Sequence, residues 1–348
     1  METFWFIIIS GMLTIYVILD GFDFGAGIIY LFIAKNESEK RSVLNAIGPV
    51  WDGNEVWLIA AGGTLFFAFP AVYASSFSGF YLALIIVLWL LMLRGISMEF
   101  RSQISNGLWK SFWDAVLTFG STVIAVVLGA ALGNLVRGVP LNADGYFFAP
   151  LWTNFRTGLN PGILDWYTVA IGLFSLTLLA VHGANYIAMK TEGELQTRSR
   201  NISKKLIWLL IGFGIITPFL TGIAQPEMMR NFNNNPIGYI LPVFAYASLF
   251  AMIYFRLKNN DTASFLSSSA FISGLFLTAV FTIFPNILIA TTEPSNSLTV
   301  YNSAASPYGL KVGLVWFVIG ISLATAYTIY MYRSFWGKVK ISVDKEGY

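Results

Sequence analysis

The chain reads as an all-α integral membrane protein of about nine transmembrane helices, and three observations predict this. Of its 348 residues, 56% are hydrophobic and 16% aromatic. Only 11% are charged, against about 25% in soluble domains. Apolar runs long enough for a bilayer of roughly 30 Å recur along its length. Too few charges exist to coat a water-soluble globule, and the aromatic content argues against disorder. There is no cysteine and one histidine. Disulfides, zinc thiolates, iron–sulfur clusters and thiolate-ligated haem are therefore excluded, and a bis-histidine haem cannot be built from this chain alone.

Nine runs qualify: Phe4–Ala34, Val50–Tyr73, Gly79–Phe100, Asp114–Val136, Leu164–Ala188, Leu206–Ile223, Ile237–Phe255, Phe265–Ala290 and Val312–Tyr332. The first lacks a basic n-region and is too long for a signal-peptide core, so it reads as a retained span. No charge separates Glu55 from Arg94, and one helix over those 38 residues would be about 57 Å long. It must fold back, and Pro70 with Ser75, Ser76, Ser78 and Gly79 predicts the turn near Pro70–Gly79. The sixth span contains Pro218. Residues 137–161 form the longest outer loop, with the Asn, Gly and aromatic content of an interfacial cap.

Lys and Arg set the orientation. Sixteen fall in the loops after odd-numbered spans and in the tail, including Lys40, Arg101, Arg200, Arg256, Lys340 and Lys345. Four (Arg137, Arg156, Arg230, Lys311) fall on the other side, and Arg94 lies within a span. The N-terminus is then outside and the C-terminus cytoplasmic. Asp20-Gly-Phe-Asp near the end of the first span is echoed by His182-Gly-Ala-Asn near the end of the fifth. We read 1–348 as a single polytopic domain with an internal repeat, 1–136 and 164–290, giving two pseudo-symmetric four-helix units plus a peripheral ninth helix, 312–332. Chance similarity between apolar helices is the competing reading.

The chemistry-bearing residues are ionisable groups inside spans, where each costs about 2.5–3.5 kcal/mol at the bilayer centre. They are Asp20 and Asp23, Asp52 and Glu55, Arg94 and Glu99, and Asp114 opening the fourth span. All fall in the cytoplasmic half. The i, i+3 spacings Asp20/Asp23 and Asp52/Glu55 place each pair on one helix face, so the carboxylates are expected to gather around Arg94. Two roles remain open: ion pairing that holds helices together, or a hydrated proton path from the cytoplasm. Phosphate or headgroup binding at Arg94 is a third. His182 is a candidate haem ligand or, with no second histidine, an interhelical hydrogen-bond donor. No metal-spaced cluster, P-loop or nucleophile motif occurs.

Four stretches go beyond composition: Leu19-Asp-Gly-Phe-Asp-Phe-Gly-Ala-Gly; Ala46-Ile-Gly-Pro-Val-Trp-Asp-Gly-Asn-Glu-Val-Trp-Leu; Ala61-Gly-Gly-Thr-Leu-Phe-Phe-Ala-Phe-Pro with Phe77-Ser-Gly-Phe-Tyr; and Leu93-Arg-Gly-Ile-Ser-Met-Glu-Phe-Arg. With these the chain resembles subunit II of bacterial cytochrome bd-type quinol oxidases, most densely over residues 15–115. The resemblance implies a haem-free subunit of a complex that oxidises quinol and reduces oxygen to water in the bacterial cytoplasmic membrane. It implies an obligate subunit I carrying two b-type haems and one d-type haem, or a third b-type haem. A structural quinone in a hydrophobic groove, bound lipid and a small single-span accessory subunit are further implied possibilities; nucleic acid is not a partner. The family's acids fall on Asp23 and Asp52, with Trp51 beside the latter, its membrane arginine on Arg94 and its fourth-span acid on Asp114. It associates the Trp51-Asp52 motif with proton uptake. Glu55 stands where some relatives carry glutamine. From these residues, Asp52, Glu55, Asp23 and Asp20 are expected on a proton path, and Arg94, Trp51, Glu99 and Asp114 in structural or assembly roles. A stand-alone proton-coupled transporter is the alternative function, and a pure scaffold a third.

Overall fold

A computed structural model of the chain describes residues 1–339; Lys340 and Lys345 of the expected cytoplasmic tail lie outside the described residues. In chain order the helices are α1 (Glu2–Ile33), α2 (Glu37–Ile47), α3 (Trp51–Ala68), α4 (Pro70–Gly79), α5 (Tyr81–Phe100), α6 (Gly107–Arg137), α7 (Trp166–Lys190), α8 (Gly193–Ala224), α9 (Arg230–Asn234), α10 (Ile240–Leu257), α11 (Asp261–Ile283) and α12 (Pro307–Ser334). A two-stranded antiparallel ribbon, β1 (Asn286–Leu288) and β2 (Leu298–Thr299), lies between α11 and α12. Among the described residues, eight helices are long and apolar enough to cross a membrane. The protein is a multi-pass helical membrane protein. α3 falls short only in hydropathy, because Asp52, Asn54 and Glu55 sit near its start; its 18 residues span about 27 Å.

Local chemistry corrects several expected boundaries. Pro70–Gly79 is not a turn: it is helix α4, with Pro70 at its first position, where a missing N–H costs nothing. The chain bends instead at Phe69 and Phe80, each with non-helical backbone angles. α6 begins seven residues before the expected fourth span, because the Asn106 side chain accepts hydrogen bonds from the amides of Leu108 and Trp109 and caps it there. Asp114 therefore lies two turns inside its helix and does not open it. α8 starts well before Leu206 and carries Arg198, Arg200, Lys204 and Lys205 on its first half. α11 stops at Ile283, and the expected tail of that span to Ala290 is a turn at Phe284 and Pro285 that leads into β1. α2 was not expected. Asn36 caps it by accepting from the Glu39 amide, and its Val43, Leu44 and Ile47 pack into the core.

α1 is the central helix, packing against α3, α6, α7 and α11. Its closest approach is to α7, where Gly25 meets Gly183 backbone to backbone. At the end of the bundle carrying the basic loops, α2 lies across α1 and α7. At the opposite end, the segment from Gly138 to Asp165 is anchored by Val139 and Thr291, which exchange backbone hydrogen bonds with Ile289 and Val139. The Asp165–Thr168 capping box starts α7 there, and Arg137 pairs with buried Asp165. α12 is peripheral, with most of its length exposed.

Candidate functional site

Tyr16, Asp20 and Asp23 recur at i, i+4 and i+7, so they share one stripe of α1. All three are buried. α5 brings Arg94, also buried, into this stripe. Its Nη1 lies 2.7 Å from Asp20 Oδ1, and its Nη2 pairs with Glu55 of α3. The guanidinium sits 4.5 Å from the Phe24 ring centroid and 5.9 Å from that of Trp51, adding cation–π contact on two sides. Trp51 reaches this position because residue 95 is glycine; a Cβ there would lie 3.0 Å from the indole.

Asp23 has a different partner. Asn54 Nδ2 donates to Asp23 Oδ2 at 2.7 Å and to the Leu19 carbonyl at 3.3 Å. Asn54 Oδ1 in turn accepts from the Tyr332 hydroxyl at 2.8 Å. Sequence reasoning missed both Asn54 and Tyr332. The Asp52-Gly-Asn54 sequence carried the only signal, since a neutral amide inside an acidic motif is a natural donor to a carboxylate.

Three carboxyls, Asp20, Asp23 and Glu55, thus face one arginine. Asp20 Oδ2, Asp23 Oδ1 and the Tyr16 hydroxyl are buried and have no partner among the described residues. A buried carboxyl oxygen without a donor costs about 1–3 kcal/mol. That cost falls when it carries a proton or meets water, so the cluster is suited to holding and releasing protons.

The remaining expected residues separate from this cluster. Asp52 is exposed, whereas Glu55, one turn on, is 20% exposed and turned to Arg94. The two therefore do not present one common face. Glu99 is half-buried and makes no ion pair among the described residues. Asp114 does not join Arg94. It accepts from Tyr30 Oη at 2.7 Å, Arg101 Nε at 2.5 Å and Lys40 Nζ at 2.8 Å. Arg101 continues to Glu37 of α2 through two bonds of 2.9 and 3.0 Å, and Lys110 reaches the same carboxylate at 3.3 Å. The hydrogen bonds from Arg101 hold Glu37 down to about 2 from the usual 4.5. The expected single gathering of acids is therefore two networks: one internal around Arg94, and one at the basic end that ties α2 to α5 and α6.

His182 is fully buried. Its Nε2 lies 3.0 Å from the Ile18 carbonyl and its Nδ1 2.7 Å from Ser268 Oγ. A carbonyl only accepts, so Nε2 carries the hydrogen and Nδ1 is left as an acceptor facing the Ser268 hydroxyl, which also lies 2.7 Å from the Phe265 carbonyl. Both ring nitrogens are used, and the ring stacks on Phe265 at 4.9 Å. Of the two readings of His182, this geometry is that of an interhelical hydrogen bond; its surroundings do not fit a haem iron. Among the described residues no three His, Cys, Asp or Glu side chains are placed to hold a metal ion. In the second half of the chain, Asn185 accepts from Ser203 at 2.8 Å, and Arg256 and Arg200 both pair with Asp261. An apolar cavity of about 800 Å³ lies between α1, α6, α7, α8, α10 and α11, with Phe24, Leu178, Phe232, Tyr246 and Phe276 among its lining residues.

Residues 1–335 match the family model for cytochrome bd terminal oxidase subunit II. The chain belongs to that family. It is 34% identical to the probable cytochrome oxidase subunit 2 of Haemophilus influenzae, over 98% of this chain and 96% of the relative. It is 32% identical to the cytochrome bd-I ubiquinol oxidase subunit 2 of Escherichia coli, over 96% and 94%. The cytochrome bd ubiquinol oxidase subunit 2 of Bacillus subtilis is also 32% identical, over 93% and 94%. A chain of the bd oxidase structure from Geobacillus thermodenitrificans superposes with a TM-score of 0.76 at 17% identity, covering 96% of this chain and 98% of that one; this likeness concerns the fold. Membership in the subunit II family favours an oxidase subunit over a stand-alone transporter. The match runs over residues 1–335, beyond the stretch 15–115 where the resemblance is densest, so it covers α12 as well as the Arg94 cluster.

Proposed function

We propose that this chain is the haem-free subunit II of a bacterial bd-type quinol oxidase and that it supplies a proton-uptake path to the oxygen-reducing partner. The observation that carries the path is the charge imbalance around Arg94: one buried cation faces Asp20, Asp23 and Glu55, while Asp52 stands exposed on the first turn of α3. Oxygen reduction to water consumes protons at a buried site, and the bilayer interior offers no free water to deliver them. In this reading Asp52 takes protons at the cytoplasmic surface, Glu55 and Asp20 exchange them beside Arg94, and Asp23 holds one further in. Glu99 is a surface acid outside this path, Trp51 and Arg94 hold it together, and Asp114 fixes α2 over the basic end.

The membrane is the bacterial cytoplasmic membrane, with the N-terminus outside and the basic end in the cytoplasm, as the Lys/Arg asymmetry requires. Among the described residues, counting α3 with α4 as one span beside the eight long apolar helices gives nine. Two four-helix units related through the α1–α7 contact, with α12 as the peripheral ninth helix, account for the Asp20/His182 echo. The haems, two b-type with one d-type or a third b-type, belong to the obligate subunit I. This chain's own polar residues do not fit a haem. The apolar cavity fits an isoprenoid chain, and Tyr167, Thr217 and Thr221 on its lining would hold the polar end of a structural quinone or lipid. The outward face of α12 leaves room for a small single-span accessory subunit.

Asp52→Asn in the purified complex tests the path. Asp52 lies in the first turn of α3, which has no side-chain cap bond, and a charge there supports the helix by only about 0.3–1 kcal/mol, so a merely helix-supporting role predicts turnover close to the wild-type rate. The proton role predicts intact haem spectra with slowed quinol oxidation and weakened charge separation across the membrane. Wild-type turnover across the pH range would remove Asp52 from the path.

A further inference from the structure

α12 is peripheral, yet its last turns reach a fully buried polar group of the site, Asn54. Tyr332 Oη is 2.8 Å from Asn54 Oδ1, and Asn54 Nδ2 is 2.7 Å from Asp23 Oδ2. Met331 and Tyr327 close over Gly53, where a Cβ would lie 3.0 Å from the Met331 sulfur. The peripheral helix thus covers the first turn of α3 and sends one hydroxyl inward.

We propose that Tyr332 is a positioning residue that acts through Asn54 to help Asp23 release its proton, by strengthening the hydrogen bond that its carboxylate form accepts. The proposal rests on the proton-path reading above. Asn54 is fully buried, and its amide has one donating and one accepting end. The Leu19 carbonyl and the Asp23 carboxyl both lie beside the Nδ2 position. A carbonyl cannot donate, so the amide must present its N–H groups there while Asp23 is ionised. The acceptor-only Leu19 carbonyl fixes that orientation, and Tyr332 completes it by donating to Oδ1. Donation to the amide oxygen also polarises the amide and strengthens the N–H bond to Asp23. Without the hydroxyl, Oδ1 loses its donor and the N–H bond to the ionised Asp23 weakens. Removing one ring hydroxyl on α12 should therefore make Asp23 hold its proton to higher pH.

The other groups facing Asp23 are Asp20 on α1, Glu55 on α3, Arg94 on α5 and Tyr186 on α7. Tyr332→Phe leaves all four in place and keeps the ring that packs at the site. A purely structural role for Tyr332 therefore predicts no change in pH profile.

The test is the pH profile of quinol oxidation, per haem, in the purified complex. Tyr332→Phe should move the acid limb to higher pH by roughly half to one unit, the scale of one weakened charge-assisted hydrogen bond. Asn54→Ala should move it in the same direction and further. The double variant should match Asn54→Ala alone, since Tyr332 acts only through Asn54. A Tyr332→Phe profile superimposed on wild type, or a double variant that shifts by both amounts together, overturns the proposal. Asp23→Asn separates the two levels. If it alters the profile while Tyr332→Phe does not, only the positioning role falls. If Asp23→Asn itself behaves as wild type, the proton path through Asp23 falls and the role of Tyr332 with it.

Discussion

Gly25 of α1 and Gly183 of α7 are in backbone contact: a Cβ on Gly25 would lie 2.6 Å from the Gly183 nitrogen and 2.7 Å from its Cα. Small residues at a helix crossing let backbones approach closely in membranes, where van der Waals packing drives association. This crossing sets the distance between the two halves of the chain. It also lets His182 reach the carbonyl of Ile18, two residues before Asp20.

Gly25→Val or Gly183→Val should therefore separate α1 from α7 and lower the yield of haem-containing complex severalfold. Overpacking of a tight core costs about 1–3 kcal/mol even where neighbours can shift, and here the obstacle is backbone. The yield of purified complex, read by haem absorbance per gram of membrane, checks this. Gly11→Val, at a glycine with open space beside it, should assemble normally.

Arg94→Ala should reduce the amount of complex more than turnover per haem. The variant leaves Asp20 and Glu55 buried without their cation, and removing one partner of a buried pair typically costs about 3–5 kcal/mol. Arg94→Lys keeps the charge but loses the fork that engages two carboxylates at once, so it should assemble to an intermediate level. Quantitative immunoblotting of membranes alongside oxygen uptake per haem separates the two effects. Normal assembly in Arg94→Ala would argue against a structural role.

Glu37 provides a pH-dependent contribution. Its hydrogen bonds from Arg101 hold it at about 2 in the folded chain, below the ordinary 4.5. A carboxylate depressed on folding contributes stability that is complete above the ordinary value and is lost as pH falls through the folded one. Glu37→Gln should lower the thermal midpoint of the complex at neutral pH. The gap to wild type should narrow as pH drops below about 4.5, and should shrink in high salt because the Glu37 side chain is 43% exposed. A gap that widens with acidification would contradict the assignment.

Most of the spans were legible in sequence because hydropathy alone places a helix in a bilayer. Their ends were less so, because caps decide them: Asn106 starts α6 and Asn36 starts α2, and both are single polar residues in loops. Pro70 was misread for a related reason, since proline both ends one helix and begins the next. At the site, the charged residues stood out against an apolar background, but their grouping did not. Asp114 and Arg94 lie in the same half of the sequence-derived bundle, and only the longer start of α6 and the presence of α2 show why Asp114 turns to Arg101 and Lys40. Asn54 and Tyr332 carry no charge, so nothing in composition marked them.

α3 cannot enter a bilayer cheaply by itself. Its first turns carry Asp52, Asn54 and Glu55, and a charged side chain at membrane depth costs about 2.5–3.5 kcal/mol. Glu55 finds its partner in Arg94, which is 39 residues further along the chain. At a synthesis rate of about 5–20 residues per second, roughly two to eight seconds separate the two on the ribosome. During that interval α1 and α3 carry Asp20, Asp23 and Glu55 with no cation yet made in any span. The first three long segments are therefore best released into lipid together, as a preassembled group, with Arg94 as the residue whose arrival permits it.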